Sequence, residues 1–144
     1  MLPQTRTRSL ALVGIVLACA ALVIGSEDLF KTHSATDYSQ YVGKYPSELF
    51  KKEPGLKTKL RALLGPNYKS FFDRLQVEMP IEKDGEAIVV RGCMAHECTI
   101  EEAILVVQDE TPYVALKIKS KFKTFPADPS KLPEALKRAM KSGT

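Results

Sequence analysis

The sequence predicts an α+β domain: an antiparallel sheet, a meander of four or five strands, flanked by amphipathic helices, with a disulfide-closed loop between two strands. Three observations carry this. Apolar side chains recur at helical spacing between Tyr38 and Leu75, with a period of two from Gln76 to Lys121, and at helical spacing again from Leu132 to Met140. A short cysteine-bracketed stretch, Gly92-Cys93-Met94-Ala95-His96-Glu97-Cys98-Thr99, separates the two most apolar runs of the strand region.

The chain has 144 residues, enough for one domain. Lys and Arg number 21 against 17 Asp and Glu, a formal net charge of +4, and two of the cations, Arg6 and Arg8, precede an apolar segment. The remainder is close to neutral, and no Trp is present, so neither phosphate neutralisation nor base stacking has a strong basis and no nucleic-acid partner is expected.

Residues 1–26 read as an export signal. Arg6 and Arg8 form a basic region, and Leu10 to Gly25 is an apolar run a little shorter than the roughly 20 residues of a spanning helix. Three readings stand: a cleaved secretory signal, a lipoprotein signal, or an uncleaved anchor. Val16-Leu17-Ala18-Cys19 resembles a bacterial lipobox, which makes Cys19 the candidate lipidation site. All three place the protein outside the cytosol, periplasmic or otherwise exported, with membrane contact only through the N-terminal segment. Residues 27–36 are polar and without period, a linker in which His33 is simply solvated, and residues 37–144 form the α+β domain.

Taken in order, Tyr38, Tyr41, Val42 and Tyr45 fall at i, i+3, i+4 and i+7, a short helical face, and Pro46 opens a second turn through Leu49 and Phe50. After the break at Glu53-Pro54-Gly55, Leu56, Leu60, Leu63 and Leu64 form the stripe of a helix that Gly65 ends. Pro66 starts another, with Tyr68, Phe71, Phe72 and Leu75 on one side. Gln76 to Lys83 alternates Val77, Met79 and Ile81 against polar residues, and Pro80 makes it an edge strand. Asp84-Gly85 is a hairpin turn. Glu86 to Gly92 pairs back, and Glu102 to Gln108, apolar on both faces, reads as a central strand. Asp109 to Pro112 turns the chain, and Tyr113 to Lys121 is the next strand, with a lysine stripe on its outer face continuing to Lys123. Pro126, Pro129 and Pro133 connect to a last helix carrying Leu132, Leu136 and Met140.

Little here suggests catalysis. The chain has no nucleotide-binding loop, no HExxH and no nucleophile elbow, and no partner identifies a histidine base. The expectation is a non-enzyme without cofactor or catalytic residues. Cys93, His96 and Cys98 offer three metal ligands, but zinc wants four and no fourth stands at usual spacing, so no metal is assigned. In an exported chain Cys93 and Cys98 are the pair that remains, and an oxidising compartment favours joining them. So small a ring contributes only about 2 kcal/mol, and its larger effect is to stiffen the loop. On the plainest reading the disulfide closes a hairpin and His96 is a surface residue.

The loop Cys93-Met94-Ala95-His96-Glu97-Cys98, set between two strands of an exported domain, resembles that of the bacterial inhibitors of vertebrate lysozyme, the Ivy family. The family's loop reads Cys-Lys-Pro-His-(Asp or Asn)-Cys. Both cysteines and the histidine fall in register, Glu97 stands at the carboxylate or amide position, and Met94 and Ala95 depart from Lys and Pro. The likeness covers the loop and its flanking strands. It implies that the stiff loop plugs the cleft of a lysozyme, most naturally a c-type enzyme, and that His96 meets the two catalytic carboxylates. A protonated imidazole adds charge assistance, and preorganisation reduces the ordering cost. Glu97, Glu101 and Glu102 would set acidic charge beside the loop, suiting a basic lysozyme. The competing class is an envelope binding or structural module on the same scaffold without lysozyme inhibition. Self-association as a homodimer is compatible with either.

Overall fold

The computed structural model describes residues 36–142. The export signal with Arg6, Arg8 and Cys19, and all but the last residue of the linker, lie outside them. Among the described residues no helix is long and apolar enough to cross a membrane.

A 3-10 turn at Tyr38–Tyr41 leads to α1 (Pro46–Lys52), α2 (Pro54–Leu64) and α3 (Tyr68–Asp73). The expected helical face from Tyr38 to Tyr45 is shorter than its spacing suggests. Tyr38 and Tyr41 are buried, whereas Val42 and Tyr45 are exposed. Tyr45 is extended (φ −95°, ψ 152°), as a residue ahead of a proline tends to be, so the helix cannot run through it. Pro46 and Pro54 each occupy a first-turn position, where a missing N–H costs nothing.

Six strands follow, β1 (Val77–Glu78), β2 (Glu82–Asp84), β3 (Ala87–Cys93), β4 (Glu102–Gln108), β5 (Thr111–Ile118) and β6 (Lys121–Phe125). All pair antiparallel, in the order β1-β3-β4-β5-β6, with β2 also on β3. The edge strand expected at Gln76 to Lys83 is therefore two short strands along one side of β3. Pro80 has no N–H to give to the ladder, and the neighbouring Ile81 turns away from β3 to exchange hydrogen bonds with Gly43 and Lys44 (both 2.8 Å). Of the alternating set only Ile81 is buried, and Val77 is exposed.

Two turns also differ from expectation. The β2–β3 turn is centred on Gly85 and Glu86, one residue later than Asp84-Gly85, and Gly85 (φ 62°) supplies the positive φ of a type II′ turn at its first central position. The strand expected to run through Lys121 folds back at Lys119 (φ 49°) and Ser120 (φ 66°), a type I′ hairpin that creates β6. Asp109 (φ 48°) and Glu110 (φ 59°) form the same turn between β4 and β5, leaving Pro112 inside β5.

The alternation along β3, β4 and β5 sorts their side chains onto two covered faces. Ile88, Val90, Leu105, Val107, Val114 and Leu116 pack against Leu49, Phe50, Leu56, Leu60, Leu64 and Phe71 from α1 to α3. Val89, Ile104, Val106 and Ala115 pack against α4 (Glu134–Ser142) through Ala135, Leu136 and Ala139, with Leu132 just ahead of that helix. The sheet is thus sandwiched, which explains why β4 reads as apolar throughout.

Candidate functional site

The β3–β4 connection begins where Cys93 pairs with Glu102 across the ladder, so residues 94–101 project beyond the end of the sheet. Cys93 is fully buried, and it is joined to Cys98, Cα to Cα 4.9 Å, which folds the loop back over the strand that carries it. Within the ring the Glu97 N–H donates to the Met94 carbonyl (3.0 Å), closing a turn whose central residues are Ala95 and His96. His96 has φ 66°, the left-handed conformation that a type II turn requires at that position. Its side chain is exposed at the apex, with Ala95 and Glu97 exposed beside it and Met94 half-buried below.

A polar mount fixes the base. The Met94 N–H donates to the Glu101 carbonyl (3.2 Å), and the Ile100 and Glu101 N–H groups both reach the Glu97 carbonyl (2.9 and 2.8 Å). From outside the loop, the Gln76 side-chain oxygen accepts the Ala95 N–H (3.3 Å). The approach of that segment to β3 depends on Gly92, where a Cβ would stand 2.7 Å from Leu75 Cδ2 and 3.0 Å from the Val77 carbonyl oxygen. Under the exit of the loop the Arg74 guanidinium forms an ion pair with Glu101, both side chains nine-tenths buried. Arg74 also donates to the carbonyls of Ser70 (2.9 Å) and Lys117 (3.1 Å), so one side chain ties α3, β5 and the loop together. The second Glu101 oxygen accepts the Lys119 N–H (2.9 Å). Burial alone would raise the Glu101 carboxyl, but the Lys119 N–H and the Arg74 guanidinium outweigh it and hold the group below its ordinary 4.5.

This geometry corrects the expected acidic surround. Glu101 and Glu102 are 7% and 2% exposed, and Glu102 pairs with Arg91 (3.2 Å), which in turn donates to the Ala139 carbonyl (2.8 Å) near the end of α4. Only Glu97 leaves negative charge at the surface of the loop. With Cys93 and Cys98 joined, His96 has no thiolate beside it, and no group of three or more His, Cys, Asp or Glu side chains among the described residues converges on a metal geometry.

Sequence reasoning named the cysteines and His96 and set Lys119 in an outward lysine stripe, but passed over Arg74 and the Gln76 side chain as supports of the loop. Arg74 did leave a trace. It follows Phe71 by three positions and precedes Leu75, and an arginine at that inward spacing needs a buried acid.

The family model described as inhibitor of vertebrate lysozyme (Ivy) matches residues 55–144, from the first turn of α2 to the C-terminus. No curated protein and no solved structure matches the chain. The match takes in α2 from its first turn, α3, α4, every strand and the cysteine-closed loop, leaving α1 outside, and by it the chain belongs to the Ivy family, the inhibitors of vertebrate lysozyme.

Proposed function

We propose that this protein is an exported lysozyme inhibitor that inserts the Cys93–Cys98 loop into the active cleft of a c-type lysozyme. It acts as a plug and not as a catalyst. The observation that carries the reading is His96, exposed at the apex of a turn that a disulfide closes and a buried ion pair supports. Two carboxylates flank the scissile bond in such enzymes, and an imidazole presented at an apex can donate a hydrogen bond between them. Ala95 and Glu97 stand beside it within the cleft, while Met94 packs at the loop base. Because the turn is formed before contact, little ordering entropy remains to oppose binding. Export is supported by the residues 1–26 pattern and by a target that acts on cell walls, and lipidation at Cys19 would hold the inhibitor at the envelope.

A cell-wall lysis assay with c-type lysozyme, oxidised protein and its His96→Ala variant tests the reading. Wild type should inhibit, and the variant should bind about 1–3 kcal/mol more weakly, as a central anchor does. Inhibition that is equal in both removes His96 from the mechanism. Absence of inhibition by either supports the envelope-module reading, for which the departures at Met94 and Ala95 are the motivating observation.

A further inference from the structure

The two ends of the sheet carry opposite charge. Among the described residues, Lys119 and Lys121 of the β5–β6 hairpin are exposed at the loop end, and Glu97 is the exposed acid of the β3–β4 loop itself. The two acids that would balance them, Glu101 and Glu102, are buried against Arg74 and Arg91. At the other end Asp37, Glu86, Asp109 and Glu110 surround a shallow depression with Lys83 as its cation. The two ends are separated by the length of β4, roughly 20 Å. The lysine hairpin is also continuous with the loop: the Ser120 N–H donates to the Ile100 carbonyl (3.1 Å), and the Lys119 N–H donates to Glu101. Ile100 and Phe122, 39% and 37% exposed, add apolar surface at this end.

Resting on the function proposed above, we infer that the Lys119–Lys121 hairpin is a second contact element, and that it selects lysozymes whose cleft rim is acidic over strongly basic ones. A positive rim around an inserted loop raises the encounter rate with a negative cleft and penalises a positive one. Rim charges of this kind act on association more than on dissociation, and salt screens them.

The test measures association rates of the oxidised protein with a basic c-type lysozyme and with the same enzyme after succinylation of its surface lysines. At low ionic strength wild type should associate about tenfold faster with the succinylated form, and the difference should collapse near 0.5 M salt. A Lys119→Glu/Lys121→Glu variant should associate faster than wild type with the unmodified basic enzyme, with its dissociation rate little changed. That arm stands even if succinylation damages the cleft. A variant that is no faster than wild type on the basic enzyme overturns the inference while leaving lysozyme binding intact. Failure of wild type to bind either form of the enzyme at micromolar concentration overturns the proposed function and this inference with it.

Discussion

The sheet reverses the chain in two ways, and the loop end holds both: Lys119-Ser120 turns in two residues, whereas the neighbouring β3–β4 connection does not. At the far end, two-residue turns at Gly85-Glu86 and Asp109-Glu110 suffice, each held by its own backbone conformation. At the loop end the β3–β4 connection spans residues 94–101 and is held by a disulfide, a buried ion pair and the Gln76 side chain. A reversal does not need that bracing. Residues kept in one conformation by covalent and buried polar supports, with a histidine at the apex, suit the presenting role proposed for the loop. Flexible surface loops, by contrast, must be ordered when they bind.

Removal of the bracing should cost far more than changes in the tight turns. Arg74→Met leaves the Glu101 carboxylate buried and unpaired, and should lower unfolding free energy in urea by about 3–5 kcal/mol. Arg74→Met/Glu101→Gln should recover part of that. A single-variant cost under about 1 kcal/mol would mark the pair as an ordinary surface contact. The same pair predicts an acid limit. Glu101 is held below its usual range in the folded state, so its contribution is present above the unfolded value of 4.5 and is lost as pH falls through the lower folded value. Stability of wild type should therefore fall below about pH 4.5 more steeply than that of Glu101→Gln, as a pH series of thermal midpoints would reveal.

Next in size is the disulfide. Cys93→Ala/Cys98→Ala should lose about 2 kcal/mol of stability and a larger share of inhibition, because the turn at Ala95-His96 must then be ordered on binding. Equal losses in the two measurements would reduce the bridge to a global staple. Smaller again is His96→Asn, since asparagine tolerates the left-handed φ of 66°. Thermal stability should stay within about 0.5 kcal/mol of wild type while lysozyme binding weakens. Smallest is Ser120→Gly at the type I′ position (φ 66°), where relief of the left-handed strain and the added freedom of the unfolded chain nearly cancel. A shift of a few tenths of a kcal/mol is expected there.

The layers of this fold were legible because burial writes itself into periodicity. β4 is apolar on both faces since helices cover both, and α2 shows its leucines at helical spacing since only one side meets the sheet. What escaped were features that periodicity does not encode. Lys119-Ser120 contains neither Gly nor Asn, so nothing marked it as a type I′ turn, and β5 and β6 merged into one strand. Pro80 announced an edge but not that Ile81 would bond to Gly43 and Lys44 instead of β3. At the site, Cys93, Cys98 and His96 stood out by residue type within six positions. Glu101 did not, because its partner Arg74 lies 27 residues earlier, and a glutamate near a loop looks solvated until the fold supplies the arginine.

The most direct test of insertion is competition. Binding of the oxidised protein to a c-type lysozyme, followed by calorimetry, should be repeated with the cleft filled by an N-acetylglucosamine oligosaccharide. Insertion of the loop predicts that apparent affinity falls in proportion to saccharide occupancy, with no ternary complex. An unchanged affinity with the cleft full would place the contact elsewhere on the enzyme, and would contradict the assignment of His96 to the catalytic carboxylates.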